Sequence, residues 1–437
     1  MGFKSQHIIE RMKKKSTHCK VLISLVLLVL ILAGLVAGKA YWQQKRGEDD
    51  QCLMIVNQTN TSQTSKSETS SNEIEKNQTN VVENQNQDDN QNTTPSSELF
   101  ASYERQAEQL LSTMTLEEKV GQMFLARYPE SGVLTEIKQQ NPGGYVLFGK
   151  DFKGKTKQTI LTELNQCQDS SKIALLLGVD EEGGTVVRVS AYSAFRSTKF
   201  LSPQQLWAKG QLPAILKDST EKSTLLKSIG LNMNLAPVAD VPTKSSSFIY
   251  ARSYGRGAEK TAIYVSELIK TMNQDGMIST MKHFPGYGDN VDTHTGIAID
   301  ERPYHTFETV DFLPFQSGIE VGAPTILISH NVVQSMDKSK PASLSEKVHQ
   351  ILRDELKFTG IMITDDLAMD AVKSYVENGE AAVQAVIAGN DMIISSDFVK
   401  QKQEIIRAIQ QNKISEETIN QAVKRILACK YAYQIIK

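Results

Sequence analysis

The feature that most constrains the fold is an alternation. Between residues 122 and 395, eight short apolar runs recur, at 122–127, 144–148, 173–179, 232–237, 278–283, 325–329, 360–364 and 391–395. Each has the length of a strand buried on both faces, and most of the stretches between them are long enough for a helix. The stretch 380–388, stopped by Gly389, is one such helix. Strands alternating with helices build parallel βαβ units. Eight units predict an α/β fold, a (β/α)8 TIM-type barrel. The alternative is an open doubly wound sheet. No glycine-rich nucleotide fingerprint follows the first strand to support it.

The barrel units occupy only part of the chain. Arg11, Lys13, Lys14, Lys15 and Lys20 precede an uncharged apolar run from Val21 to Ala37, which Ala40, Tyr41 and Trp42 extend. Such a run matches the roughly 20 apolar residues that a bilayer-crossing helix needs. Positive charge before it and Glu48, Asp49 and Asp50 after it place the bulk of the chain outside the cell. A cleaved signal peptide is the competing reading, because Gly38-Lys39-Ala40 is rich in small residues; the apolar run is long for that purpose. Residues 43–97 are mostly Asn, Gln, Ser, Thr, Glu and Asp, which bury too little surface to offset the entropy of ordering. They read as a disordered tether with a reach of about 40 Å. The expected organisation is a basic cytoplasmic segment at 1–20, a transmembrane anchor at 21–42, a polar linker at 43–97 and a barrel domain at 98–437. The barrel domain should open with a helix, on the spacing of Leu99, Tyr103, Leu110, Leu111 and Met114. A second helix should follow, started by the capping box Thr115-x-x-Glu118.

The charge balance excludes one class of partner. With 48 basic and 50 acidic residues the formal net charge is −2, and no basic surplus points to nucleic acid. The cysteines Cys19, Cys52, Cys167 and Cys429 lie far apart, in neither metal-ligand nor disulfide-framework spacing. Cys167 and Cys429 are expected as small buried residues.

In a barrel of this class, chemistry sits where strands end. The third run ends at Asp180-Glu181-Glu182-Gly183-Gly184, the fourth leads to Asp240, and the fifth ends at Lys282-His283. The sixth ends at His330 and the seventh at Asp365-Asp366. Polar groups at any one strand end need only reflect solvent. Five such ends, with Lys-His and Asp-Asp pairs directly following apolar runs, predict convergence on one mouth. The loop after the fifth run, 284–294, is punctuated by Pro285, Gly286 and Gly288 and carries Asp289, Asp292 and His294. Asp292 and His294 could pair, the carboxylate holding one ring nitrogen and raising the basicity of the imidazole. Two chemistries fit. One is metal-assisted hydrolysis with His283, Asp289, Asp292 and His294 as ligands, although their spacing matches no helical metal-binding pattern. The other is metal-free glycosyl transfer to water, with Asp365 attacking the anomeric carbon and His294 moving the proton.

The segment Lys282-His283-Phe284-Pro285-Gly286, followed by Asp292-x-His294, resembles glycoside hydrolase family 3 in its β-N-acetylglucosaminidase branch. So do the segments at 115–123 and 236–240, Asp180-x-Glu182-Gly183-Gly184 with Arg188, Arg252-Ser253-Tyr254-Gly255, the stretch at 358–367 and Ala388-Gly389-Asn390-Asp391-Met392. The likeness runs through essentially all of 98–437 in the family's order. It implies a (β/α)8 barrel and a retaining, double-displacement glycosidase with no cofactor. Asp365 would be the nucleophile, His294 the general acid/base and Asp292 its partner. Asp366 would support the nucleophile, while Asp180, Arg188, Arg252, Lys282 and His283 would hold an N-acetylglucosamine. The substrates implied are cell-wall fragments with terminal β-N-acetylglucosamine.

Three departures from the branch pattern stand out: Thr185 where an arginine is common, Tyr287 where a histidine is common, and Thr364 where a serine is frequent. No further domain is expected after the barrel to supply a glutamate acid. With Asp292-x-His294 present, this favours the hexosaminidase branch over the β-glucosidase or β-xylosidase activities of the same family. The contrasting class is a non-catalytic wall-binding protein on the same barrel. Sugar binding alone gives no reason for Asp365, His294 and Asp292 to occur together.

Overall fold

A computed structural model describes residues 100–436, apart from 293–295, 297, 370, 371, 373, 374 and 377–379. The expected anchor at 21–42 and linker at 43–97 lie outside the described residues. Among the described residues no helix is long and apolar enough to cross a membrane. The first helix of the domain is Glu104–Leu111 and the second is Leu116–Gln122. The second starts at the expected capping box: Glu118 N–H donates to Thr115 Oγ1 (3.3 Å) and Thr115 N–H to Glu118 Oε2 (3.0 Å).

All eight expected runs form strands of one parallel sheet. They are β1 (Phe124–Arg127), β2 (Gly144–Leu147), β3 (Leu176–Val179), β4 (Met233–Asn234), β5 (Ile278–Phe284), β7 (Thr325–Ile328), β9 (Ile361–Thr364) and β10 (Ile393–Ser395). Their order is β10-β1-β2-β3-β4-β5-β7-β9. The two ends of that order meet around Met392. Its N–H donates to Met362 O (3.0 Å), Thr364 N–H donates to Met392 O (3.1 Å), and Ile394 N–H donates to Thr364 Oγ1 (3.2 Å). Thr364, where a serine is frequent, therefore contributes its hydroxyl to barrel closure.

Strand β4 is shorter than the expected 232–237. Pro237 has no N–H to give to a ladder. Pairing resumes beyond it, where Lys282 N–H donates to Pro237 O (3.1 Å) and Ala239 N–H to Lys282 O (2.6 Å). Two short strands absent from the eight runs, β6 (Ile299–Asp300) and β8 (Val332–Val333), pair with each other outside the barrel sheet. The helix at 380–388 is present as Glu380–Ala388. Cys167 and Cys429 are both buried free thiols, as expected.

Register fixes which side chains reach the barrel interior, because paired residues on neighbouring strands share a face. Arg127 pairs with Val146, Val146 with Gly178, Gly178 with Met233, Met233 with Ile278, Thr280 with Thr325, and Thr325 with Ile361. The opposite face is the outer one: Phe124 packs on Phe398 with ring centroids 5.0 Å apart, and the Tyr145 hydroxyl donates to Glu136 of the helix Val133–Gln140 (2.8 Å). Counting in twos along each strand then puts Arg127, Phe148, Asp180, Lys282 and Asp365 on the inner face, at the carboxyl ends.

Candidate active site

The centre of the mouth is a buried charge network. Lys282 Nζ lies 2.7 Å from Asp180 Oδ1 and 2.6 Å from Glu182 Oε1. Arg252 grips the same glutamate with both arms, Nε to Oε2 at 2.9 Å and Nη2 to Oε1 at 2.7 Å. Arg252 Nη2 also lies 3.2 Å from His283 Nε2, while His283 Nδ1 lies 2.7 Å from Asp240 Oδ2. Burial by itself would lower the Lys282 ammonium, but Asp180 and Glu182 outweigh it, and the net shift is upward. Burial by itself would raise the Glu182 carboxyl, but Lys282 and Arg252 outweigh it and hold the group well below the usual carboxylate range. Lysine, arginine and glutamate are therefore all ionised at neutral pH. They form a rigid rim able to direct hydrogen bonds at a polyhydroxylated ligand.

Of the sequence-derived candidates, Asp180, Lys282, Arg252 and His283 come together in this network. Lys282 and His283 are adjacent in sequence, across a cis peptide, and both take part. Asp365 follows β9 on the inner face. Its N–H donates to Ile328 O (3.0 Å), and its Oδ1 accepts from Asp366 N–H (2.8 Å). The Asp366 carboxylate is turned to the chain, accepting from Ala368 N–H (2.9 Å) and Ser396 Oγ (3.0 Å). His330, expected among the polar groups of the mouth, is fully buried. Its Nε2 lies 3.0 Å from Asp366 O and its Nδ1 2.7 Å from Ser343 Oγ, so it braces the 365–366 turn. Asp292 is half-buried on the loop after β5, and His294 lies outside the described residues.

Two members of the metal-ligand alternative are committed elsewhere. Both ring nitrogens of His283 face protein groups. Asp289 accepts from the N–H groups of Thr243 (3.0 Å) and Lys244 (2.9 Å) and from the Thr243 hydroxyl, tying two loops together. Among the described residues no group of three or more His, Cys, Asp or Glu side chains is placed to hold a metal ion. Tyr287, one of the departures, packs edge-on against His283 with centroids 5.0 Å apart, and its N–H donates to Asp240 Oδ1 (2.8 Å). Thr185 is exposed.

Several supporting residues carry no sequence signal of their own role. Glu182 holds both central cations and Asp240 fixes His283, yet in sequence each is one more acid near a strand end. Glu181, fully buried, accepts from the N–H groups of Arg188 (2.8 Å) and Val189 (2.7 Å) and so folds the loop that carries Arg188 back toward the end of β3. Arg302 fastens the chain on both sides of the segment bearing Asp292. It donates to Gly286 O (3.0 Å) before that segment and to Asp300 Oδ2 (2.8 Å) after it. It also reaches Asp311 Oδ2 (2.8 Å). Burial pushes the Asp311 carboxyl up to about 7 despite Arg302.

Fold and site together define a (β/α)8 barrel with an ionised, inward-facing polar mouth at the carboxyl ends of its strands, where enzymes of this architecture do their chemistry. The chain belongs to glycosyl hydrolase family 3: residues 115–429 match the profile described as the glycosyl hydrolase family 3 N terminal domain. A curated relative, beta-hexosaminidase A of Pseudoalteromonas piscicida, is 27% identical over 322 residues, covering 67% of this chain and 54% of the relative. A beta-hexosaminidase of Nitrosomonas eutropha is 30% identical over 278 residues, covering 61% of this chain and 77% of that one. Among solved structures, a glycoside hydrolase family 3 beta-N-acetylglucosaminidase from a Paenibacillus species matches with a TM-score of 0.69 and 28% identity, over 74% of this chain and 63% of that one. The chain thus spans about half the length of the Pseudoalteromonas relative and under two thirds of the Paenibacillus enzyme.

Proposed function

We propose that this chain is a retaining β-N-acetylhexosaminidase that removes terminal β-N-acetylglucosamine from cell-wall-derived or related glycans. The observation that carries the reading is the placement of Asp365 on the inner face of the same mouth that holds Asp180, Lys282, Arg252 and His283. In this reading the network binds the hydroxyls of the sugar, with Arg188 beside it. The Asp365 carboxylate attacks the anomeric carbon and forms a glycosyl-enzyme. His294, held by Asp292, protonates the departing oxygen and then takes a proton from the attacking water. No metal and no cofactor enters either step. Family membership and the likeness to hexosaminidases and to a β-N-acetylglucosaminidase support the sugar assigned.

The segment at 21–42 anchors the enzyme as a single-pass membrane protein, and the linker lets the barrel work outside the cell, in the wall of an organism with one membrane. Protease treatment of intact cells tests this: digestion should release the barrel, and full protection would refute it. The catalytic assignment is tested by incubation with a slow fluorinated β-N-acetylglucosaminide, followed by mass mapping. Labelling of the peptide containing Asp365 is expected. Turnover with the label on another carboxylate, or turnover by Asp365→Ala near the wild-type rate, would refute the assignment.

A further inference from the structure

His330, just past β7, and Asn390, in the stretch Ala388-Gly389-Asn390-Asp391-Met392 before β10, take part in no step of the reaction as drawn above. The fold joins them into one chain of buried groups that ends directly behind Asp365. His330 Nε2 lies 3.0 Å from Asp366 O, and His330 Nδ1 lies 2.7 Å from Ser343 Oγ. The backbone of Ser343 is held from two sides. Asn390 Nδ2 donates to Ser343 O (2.8 Å), and Ser343 N–H donates to Ser329 O (2.9 Å). Asn390 Nδ2 is itself anchored on Ala385 O (2.8 Å), in the helix Glu380–Ala388. Ser329, His330, Ser343 and Asn390 are all buried.

The chemistry of the partners sets the direction of these bonds. A carbonyl oxygen only accepts, so Nε2 of His330 carries a proton and donates to Asp366 O. In the neutral ring, Nδ1 then accepts from the Ser343 hydroxyl. A buried N–H that lost its acceptor would go unmet, and that cost ties ring and turn to one another. Asp366, which receives the bond, also orients Asp365: its N–H donates to Asp365 Oδ1 (2.8 Å). Its carboxylate is pinned by Ala368 N–H (2.9 Å) and Ser396 Oγ (3.0 Å), and the next residue, Leu367, donates its N–H to Ile394 O (3.2 Å). With the carbonyl held as well, the N–H that Asp366 turns toward Asp365 keeps its direction.

We propose that His330, with Ser343 and Asn390 behind it, is a positioning residue for the nucleophile: by holding the Asp366 carbonyl it fixes the Asp366 N–H, and through it the rotation of the Asp365 carboxylate. This rests on the reading of Asp365 as the nucleophile. In that step an oxygen of Asp365 gives an electron pair to the anomeric carbon, and the leaving group departs with the pair of the bond that breaks. The rate of such an attack depends steeply on alignment, with a misplacement of about 1 Å costing about a hundredfold. The sugar itself is bound in this reading by Asp180, Arg252 and Lys282, so loss of the chain should slow attack and leave binding in place.

The test uses the purified full chain and a fluorinated β-N-acetylglucosaminyl fluoride that traps the glycosyl-enzyme. Fluoride leaves with little help from an acid, so the trapping rate reports the nucleophile. Two exchanges of similar size separate the two ends of the ring. In His330→Gln the side-chain amide reaches the place of Nε2 and can donate to Asp366 O. In His330→Asn it reaches only the place of Nδ1, on the Ser343 side. At saturating probe His330→Asn should trap about tenfold or more slowly, and His330→Gln within about threefold of wild type, with the half-saturating concentration unchanged to within about twofold in both. Rates are referred to the enzyme that finally carries label, so unfolded protein does not enter them. Ser343→Ala keeps both backbone bonds and removes only the hydroxyl; it should trap about threefold or more slowly. It decides the matter if neither His330 variant folds, and a wild-type rate there overturns the chain. Equal trapping by the Gln and Asn variants, or a loss carried by the half-saturating concentration instead of the rate, overturns the positioning role. Wild-type label on a carboxylate other than Asp365 strikes the reading of the nucleophile and this proposal with it. Label on Asp365 with equal variants strikes this proposal alone.

Discussion

Glu182→Gln is the substitution that probes the architecture of the mouth most directly. The exchange keeps shape and removes one negative charge from between two cations. Lys282 keeps Asp180 at 2.7 Å, so it is not orphaned. Arg252 loses its bidentate partner and keeps only its contact to His283, with 16% of its side chain exposed. Breaking one side of a buried ion pair costs about 3–5 kcal/mol. Because Lys282 retains a partner and Arg252 can recruit some water, the expected loss is at the lower end, about 3 kcal/mol. Denaturant unfolding at pH 7 should show it as a lower midpoint with an unchanged slope. The pH dependence gives a second readout. The Glu182 carboxyl is held below its unfolded value, so its contribution is fully present above that value, about pH 4, and is lost as pH falls through its folded value. The stability gap between wild type and variant should therefore be widest above pH 5 and narrow in acid. On the function proposed above, KM for a β-N-acetylglucosaminide should rise together with the loss, because Arg252 is no longer held by two bonds. A gap under about 1 kcal/mol at neutral pH, too small for any broken buried pair, or one that stays constant into acid, refutes the reasoning.

Two further outcomes follow from other positions. A methyl group at Gly286 (φ +120°) would meet Asp311, itself held by Arg302, whereas at Gly154 (φ +74°) it meets nothing within 4 Å. Gly286→Ala should cost about 2–4 kcal/mol and depress activity, and Gly154→Ala only the backbone strain of about 1–2 kcal/mol; equal effects in thermal unfolding would contradict this. At the opposite end of the barrel, burial pushes the Lys430 ammonium down to about 7, while Nζ donates to Gln122 Oε1 (2.8 Å) and Gly143 O (2.9 Å). The unfolded chain then binds the extra proton between about pH 7 and 10, so wild-type stability should rise across that window. Lys430→Met should abolish that rise, and an unchanged slope in denaturation midpoints would count against the assignment.

The sequence by itself determined the barrel. Strand length, apolar character and the helix signals between strands are local properties, and all eight expected runs became strands of one sheet. It also determined where polar residues leave the apolar interior, and so placed Asp180, Lys282, His283 and Asp365 at strand ends. Only the tertiary structure decided what those residues do to one another. Asp240, Asp289, His330 and Asp366 look alike in sequence, as polar residues after apolar runs. In the fold Asp240 orients His283, Asp289 ties two loops, and His330 and Asp366 brace a turn. The difference arises because the partner of a buried charge is chosen by strand ends and loops that meet in space though far apart in the chain, by 102 residues in the case of Lys282 and Asp180. Spacing along the sequence carries no record of such a meeting.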